Sequence, residues 1–215
     1  RYAEFLIANL HETARHPQRI SISMSVHTEA DRAAIRQSGI SASVKNIVLA
    51  PPYPSSMRFN GSANHSRAIN ALAAQADADI VVISDYDMAF VTRDWDTRLE
   101  SILESNHFCG AAYTPLWLSV DMAEMRWAAN APLAKYQGKP NLSFFATTRK
   151  CLNEVFANKL TEFDSFLEAG GLPFQIINTP QMAQIFGLPP GSILWMDTGF
   201  DIPLTAVNRN LSYIT

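Results

Sequence analysis

The sequence predicts an α/β protein built on an open, mostly parallel twisted sheet that is flanked by helices. Segments of strand character alternate with segments of helical spacing through the first half of the chain. The strand predicted over residues 79–84 contains four consecutive β-branched residues, 80–83, without polar alternation. Such a run is typical of a central parallel strand that is buried on both faces.

The other elements follow from local periodicity and from proline and glycine punctuation. Strands are predicted over residues 20–26, 44–49, 108–113, 142–147, 174–178 and 193–196. Helices are predicted over residues 2–16, 29–37, 62–76, 122–134, 149–157, 161–168 and 180–186, and a further helix begins at Thr92 or Asp94 and ends near residue 105. Three prolines make residues 50–61 a loop. The 215 residues suit one domain, with residues 1–105 and 106–215 as its two halves.

Composition narrows the classes of function. The formal net charge is −3 and no Lys/Arg stripe is visible, so we expect no nucleic-acid partner. No apolar run reaches the ~18 residues of a membrane span, and no signal peptide is visible. Two cysteines, Cys109 and Cys151, are too few for a disulfide framework and are expected to be small buried side chains. A cytoplasmic location, including the cytoplasmic face of a membrane, is therefore expected.

Two carboxylates, Asp85 and Asp87, directly follow the buried strand. Residues i and i+2 of extended backbone point to the same side, so both face one small volume, where a cation relieves their repulsion. Oxygen ligands suit Mg²⁺ or Mn²⁺, and open α/β sheets bind ligands at the carboxyl ends of their strands. The alternative for any Asp-x-Asp pair is a turn or a helix cap. That alternative is our interpretation of Asp94 and Asp96, which lie at a helix start.

The stretch of residues 61–72 leads through residues 73–79 to the apolar strand and the Asp85-Tyr86-Asp87 segment. In this combination the chain resembles the family 2 glycosyltransferases of the GT-A fold. The resemblance covers about residues 1–105, with looser matches at 142–150 and 195–200. The chain begins just after the position of the family's first strand, so we expect a GT-A-like sheet without that strand.

The resemblance implies a hexosyltransferase-type enzyme that moves a sugar from a nucleotide-diphosphate sugar to an acceptor hydroxyl, with inversion. The acceptor would be a glycan, a lipid-linked molecule or another hydroxyl compound. Residues 1–105 would bind the nucleotide sugar and residues 106–215 the acceptor. The implied cofactor is Mn²⁺ or Mg²⁺, with Asp87 as a direct ligand and Asp85 on the metal or on the ribose.

Further roles are implied for residues outside the Asp-x-Asp segment. Arg67 would meet a phosphate or orient the Asp-x-Asp loop, and Asn70 would hydrogen-bond that loop. Asp197 is the candidate catalytic base, with Asp201 as its rival. Trp195 would stack on a sugar ring. Local structural roles are the alternative for each of these residues, and His65 is interpreted as a helix-surface residue.

Two other functions stay open at this stage. A nucleotidyltransferase shares a related sheet and metal use, but it usually carries a Gly-rich, Lys/Arg-bearing loop after its first strand, which the visible chain does not have. A non-catalytic binding domain would keep the sheet without the chemistry.

Overall fold

The computed structural model describes residues 1–53, 60–112, 140–171, 174–176, 180, 193–195, 198–199 and 201–215. In these ranges the helices are α1 (Tyr2–Thr13), α2 (Glu29–Gln37), α3 (Asn60–Ala74), α4 (Trp95–Ser105), α5 (Arg149–Glu154), α6 (Phe163–Glu168) and α7 (Asp201–Asn208). The strands are β1 (Ile22–Val26), β2 (Val44–Leu49), β3 (Ile80–Ser84), β4 (Phe108–Ala112), β5 (Pro140–Thr148), β6 (Phe174–Ile176), β7 (Ile193–Trp195) and β8 (Tyr213–Ile214). Short 3₁₀ turns cover Pro17–Arg19 and Ser41–Ser43.

The described strands form three sheets. β1 and β2 pair in parallel, and β6 and β7 form an antiparallel pair. The largest sheet has the order β3-β5-β4-β8. In that sheet β5 runs antiparallel to both β3 and β4, while β4 and β8 are parallel. β3 from the first half of the chain therefore shares a sheet with β4, β5 and β8 from the second half.

The α/β class is confirmed, but the expectation of a mostly parallel sheet is corrected. Three of the five described strand pairings are antiparallel. The physical reason lies in β5, which enters the sheet between β3 and β4 in the opposite direction. The apolar side chains of β5 contact helices on both faces, as those of a buried parallel strand do: Leu142 and Phe145 on one face, Phe144 and Ala146 on the other. Strand direction therefore does not follow from its residue types.

Helices cover both faces of the four-stranded sheet. On one face α3, α5 and α7 pack against Val81, Ile83, Phe108 and Phe145, together with Leu142. On the other face α4 contributes Leu99 and Leu103, which pack against Cys109 and Ala146. Burial alternates along β3: Val81 and Ile83 are buried, while Ile80 and Val82 are partly buried against the α4 side. Both faces of β3 are therefore covered, as expected, but the side chains on the α4 side are only partly buried.

Most element predictions agree with the structure within a few residues. The helix at 29–37 and the strand at 44–49 have the predicted bounds, and α1 ends at Thr13 rather than at residue 16. The helix predicted over 122–134 lies outside the described residues, and so do residues 181–186 of the helix predicted over 180–186. Helix α7 and strand β8 were not predicted. Both cysteines are buried and free, as expected, and burial raises the pKa of the Cys109 thiol to about 11.

Candidate functional site

The site forms where the carboxyl end of β3 meets the start of α3. Helix α3 directly precedes β3 in the chain and returns antiparallel to it, so its first turns lie beside the residues that follow the strand. There, Nε2 of His65 lies 2.9 Å from Oδ1 of Asp85. The backbone amide of Asp85 donates to the carbonyl oxygen of Ser143 at 2.9 Å, which anchors the segment to β5. About a third of each partner's side chain, 34% for His65 and 35% for Asp85, is accessible to solvent.

The other two residues of the Asp-x-Asp segment face outward. Asp87 is exposed, and Tyr86 is 63% exposed. The ring of Tyr86 lies 6.3 Å from that of Tyr2 at the start of α1. Within the described ranges, no three His, Cys, Asp or Glu side chains are already arranged around a common metal position. Both aspartates follow the end of β3, but the backbone turns there, since the amide of Met88 donates to the carbonyl oxygen of Asp85 at 3.3 Å. The extended geometry behind the predicted pair of carboxylates is therefore not seen, and His65 is the described side chain that contacts Asp85.

A turn from the second half of the chain reaches the same region. The hydroxyl of Thr198 donates to the carbonyl oxygen of Ser62 in the first turn of α3, at 2.8 Å. The amide of Gly199 donates to Oγ1 of Thr161 at 3.0 Å, and a Cβ placed on Gly199 would lie 2.8 Å from Cγ of Leu142. Leu142 is the neighbour of Ser143, which anchors Asp85. The turn that follows Asp197 is therefore held close to the end of β3.

Asp197 and the side chain of Trp195 lie outside the described residues, so their predicted roles stay predictions. The structure does describe the rival carboxylate, Asp201, at the first position of α7. Its Oδ2 accepts a hydrogen bond from the amide of Glu162 at 3.1 Å, and its Oδ1 is buried without a hydrogen-bond partner among the described groups. Burial raises the pKa of Asp201 to about 6, against the opposing effect of nearby backbone amides. Such a carboxyl group exchanges its proton close to neutral pH.

Arg67 is held by groups of the protein itself. Its Nη1 donates to the carbonyl oxygen of Pro52 at 2.8 Å, its Nη2 pairs with Oε1 of Glu168, and its guanidinium lies 4.9 Å from the centre of the Tyr53 ring. A further carboxylate, Asp164, lies 3.8 Å from Nε. These contacts join the proline-containing loop to α3 and α6. The loop that Arg67 holds is therefore the proline loop and not the Asp-x-Asp loop that was predicted.

Asn70, like Arg67, is held by groups of the protein itself. Its Nδ2 donates to the carbonyl oxygen of Thr161 at 2.8 Å, and its Oδ1 accepts from the amides of Leu160 and Thr161 at 2.9 and 3.2 Å. All three bonds go to the segment that leads into α6, and none goes to the Asp-x-Asp segment. Asn70 therefore positions residues 160–161, and through Thr161 it supports the turn at Gly199.

The second Asp-x-Asp pair, Asp94 and Asp96, makes different contacts from the first. Asp94 is the residue before α4, and its side chain makes no capping hydrogen bond. Asp96 accepts hydrogen bonds from the amides of Arg15 and His16, both at 2.8 Å. Burial opposes ionisation of Asp96, but hydrogen bonds from backbone amides outweigh it and lower the pKa of the carboxyl group. The pair lies at a helix start, as predicted, but the predicted capping is wrong for Asp94, and Asp96 satisfies amides of another segment.

His65 is the site residue that sequence reasoning set aside. Its sequence signal was its place in the first turns of the helix that precedes an Asp-terminated strand. Because a helix and a following strand run antiparallel, those first turns return to the strand's carboxyl end. Asp201 had been considered only as a rival to Asp197, and its hydrogen bond to the Glu162 amide joins residues that lie 39 positions apart in sequence.

Comparison with known proteins gives no relative: no protein-family model, curated protein or solved structure matches the chain. The helices of the described ranges are also too short or too polar to cross a bilayer.

Proposed function

We propose that this chain is a glycosyltransferase that moves a sugar from a nucleotide-diphosphate sugar to an acceptor hydroxyl. One observation carries the proposal: Asp85 lies at the carboxyl end of β3, paired with His65, and the turn that follows Asp197 reaches the same place. Open α/β sheets bind ligands at this edge. The proposal also draws on the resemblance of residues 1–105 to the GT-A family, which concerns the same segment.

The residues present are compatible with a divalent cation. A carboxylate oxygen of Asp85 and an imidazole nitrogen of His65 lie 2.9 Å apart, and Asp87 is exposed two residues later. Carboxylates and imidazole are both acceptable ligands of Mn²⁺, whereas Mg²⁺ prefers oxygen. Asp85 and Asp87 would hold the ion. When bound, it would offset the negative charge that develops on the departing diphosphate.

The chain's own carboxylates would supply the base. In an inverting displacement the acceptor oxygen bonds to the anomeric carbon, the bond from that carbon to the diphosphate oxygen breaks, and a carboxylate takes the acceptor's proton. We assign this role to Asp197, whose neighbour Thr198 is tied to α3. Asp201 remains its rival because its raised pKa suits proton transfer near neutral pH. Its Oδ1 is buried and its Oδ2 is bonded to the Glu162 amide, which argues against direct contact with an acceptor.

Other residues would act by shaping the site. Arg67 and Asn70 hold the proline loop and residues 160–161 through contacts within the protein. We therefore propose positioning roles for both of them instead of direct binding of the donor. Trp195, which ends β7, keeps its predicted role in stacking on a sugar ring.

The test is transfer or hydrolysis from a panel of nucleotide sugars with and without Mn²⁺. We expect one donor to be turned over by the native chain, and Asp87→Ala and Asp85→Asn to lower kcat/KM by at least about a hundredfold. Asp77→Asn is the matched control because Asp77 precedes β3 and lies at the opposite end of the strand, exposed and paired with Lys45.

Two further measurements on the same protein preparation distinguish the nucleotidyltransferase and the binding domain from a glycosyltransferase. Release of pyrophosphate from a nucleoside triphosphate and a sugar phosphate would identify a nucleotidyltransferase. Calorimetry that finds Mn²⁺-dependent nucleotide binding without turnover of any donor would identify a binding domain. If neither turnover nor Mn²⁺-dependent nucleotide binding is found, the proposal is wrong.

A further inference from the structure

Helix α1 lies along the segment that follows β3, residues 85–96. Near the start of both, the rings of Tyr2 and Tyr86 are 6.3 Å apart. Near the end of both, the amide of Asp94 donates to the carbonyl oxygen of Thr13 at 2.8 Å. Because the contacts follow the same order in the two segments, they run side by side in the same direction. The helix therefore supports the chain that contains the first Asp-x-Asp pair.

Asn9, in the middle of α1, makes a two-point contact with this segment. Its Nδ2 donates to the carbonyl oxygen of Phe90 at 3.1 Å, and its Oδ1 accepts from the amide of Phe90 at 2.6 Å. A carboxamide can hold both backbone groups of one residue because it carries a donor and an acceptor on the same carbon. Asn9 thus fixes the backbone of a residue that lies 81 positions away in sequence.

The ring of Phe90 is held as well as its backbone. It lies 4.6 Å from the ring of Trp95 and 5.7 Å from the ring of Phe144. Phe144 is the neighbour of Ser143, whose carbonyl oxygen accepts the hydrogen bond that anchors Asp85. Both ends of the segment from residue 85 to residue 90 are therefore tied to regular elements, one end to β5 and the other to α1, α4 and β5.

The chain between these two fixed points, residues 86–89, carries Asp87. It begins with the turn in which the amide of Met88 donates to the carbonyl oxygen of Asp85. Asp87 lies within this turn, and its side chain is exposed. Since a short chain segment follows its ends, the place of Asp87 relative to Asp85 depends on where Phe90 is held.

Helix α1 is also fixed by contacts that do not involve Asn9. Leu6 and Ile7 are buried, and Nε1 of Trp95 donates to the carbonyl oxygen of Leu10 at 3.2 Å. The carboxylate of Asp96 accepts two hydrogen bonds from the chain just after the helix. The helix is thus a rigid support, and we expect loss of the Asn9 side chain to release Phe90 without undocking α1.

We propose that Asn9 is a positioning residue of the cation site. By holding both backbone groups of Phe90, it sets where Asp87 stands relative to Asp85, without touching the ion itself. Groups that orient the ligands of a metal change its affinity when they are removed, even though they make no bond to it. The inference rests on the cation binding of the proposed function and is independent of sugar transfer.

Two measurements on the native chain and on Asn9→Ala test the proposal. Calorimetric titration with Mn²⁺ should show a Kd that is about tenfold higher in Asn9→Ala. Hydrogen exchange at single amides, measured by NMR in the absence of metal, should be at least about tenfold faster at Phe90, because its amide loses its partner. Both chains are compared well below their melting temperatures, so that both are folded.

Two further variants separate position from stability. Asp96→Ala removes contacts between the same helix and the same segment but leaves Phe90 on Asn9. It should lower the melting temperature, since two backbone amides lose their partner, while the Kd for Mn²⁺ stays within about twofold. Asn9→Gln carries the same amide one methylene further from the helix. It should keep exchange at Phe90 slow and still raise the Kd, because the anchor is displaced.

The possible results have distinct meanings. Native affinity for Mn²⁺ in Asn9→Ala would overturn the inference, and so would an equal loss of affinity in Asp96→Ala. If Asn9→Ala does not fold, Asn9→Gln decides, and native affinity in that variant overturns the inference. If the native chain binds no Mn²⁺, the cation part of the proposed function and this inference fail together. If it binds Mn²⁺ through an Asn9-dependent site but transfers no sugar, only the proposed function fails.

Discussion

Nε2 of His65 lies 2.9 Å from Oδ1 of Asp85 and joins the first turns of α3 to the carboxyl end of β3. The contact bridges twenty residues of sequence, and it orients a carboxylate that the amide of Asp85 already anchors to β5. Groups that orient a ligating carboxylate typically change metal affinity or activity by about 10–100-fold when removed. Substitution within this pair is thus the most direct test of the site.

We expect His65→Ala to weaken Mn²⁺ binding by about tenfold or more, because Asp85 loses the partner that orients it. His65→Gln retains a nitrogen donor of similar reach and should recover part of the affinity. Calorimetric titration with Mn²⁺ measures both variants. Equal affinity in the native chain and in His65→Ala would show that the pair does not take part in metal binding.

Asn70→Ala should lower the free energy of unfolding by about 2–4 kcal/mol. The substitution removes three hydrogen bonds to residues 160–161 and leaves partly buried backbone groups without partners. Urea denaturation measures the change. Asn46→Ala is the control: its one described side-chain bond is an exposed contact of 3.4 Å, so a change within about 0.5 kcal/mol is expected. Similar losses in both variants would contradict the assignment.

Gly199→Ala should destabilise the fold by about 2–4 kcal/mol. Gly199 has a φ of +85°, and the added methyl group would lie 2.8 Å from Leu142 in the core. Gly39→Ala is the matched control, since nothing lies within 4 Å of a Cβ at that exposed turn. Thermal denaturation of the two variants should differ clearly, and equal melting temperatures would refute the close packing of this turn.

The pH dependence of stability should reflect Asp201. Its pKa is raised from 3.8 to about 6, so the folded state keeps a proton that the unfolded state loses between these values. Stability therefore falls as pH rises from about 4 to 6, by up to about 3 kcal/mol. Asp201→Asn removes the titrating group and keeps an oxygen for the Glu162 amide, so this fall should disappear.

Urea denaturation across this pH range measures the effect, and Asp201→Asn should exceed the native chain in stability at pH 8. Asp77→Asn is the control. The hydrogen bond and charge of Lys45 lower the pKa of Asp77, so this group titrates below the window and its replacement should leave the slope unchanged. A slope between pH 4 and 6 that persists in Asp201→Asn would contradict the assignment.

Local periodicity was sufficient to locate most elements. The amphipathic pattern at 29–37 and the strand pattern at 44–49 correspond to α2 and β2 without a shift. Helix α7 was missed because the preceding turn depends on Gly199 and on its contacts with Thr161 and Leu142. A turn that is stabilised by distant residues leaves a weak local signal.

The candidate site also has features that the sequence shows and features that it does not. The position of Asp85 and Asp87 after an apolar strand was visible in the sequence, because strand termination is local. The partners of Arg67 and Asn70 were not visible in the sequence. Glu168 and Thr161 lie about ninety to a hundred residues away, and the packing of α6 on α3 brings them near. Side chains that sequence analysis assigns to a ligand can thus be occupied by the protein itself.

Residue types and their spacing were enough to determine the α/β class, the order of most elements and the carboxylates at the end of β3. Only the tertiary structure decided that β5 enters the sheet antiparallel between β3 and β4, that His65 contacts Asp85, and that Oδ1 of Asp201 is buried. The physical reason is that backbone propensity and hydrophobic periodicity act over a few residues. Strand pairing, burial and pKa depend on contacts between residues that are distant in sequence.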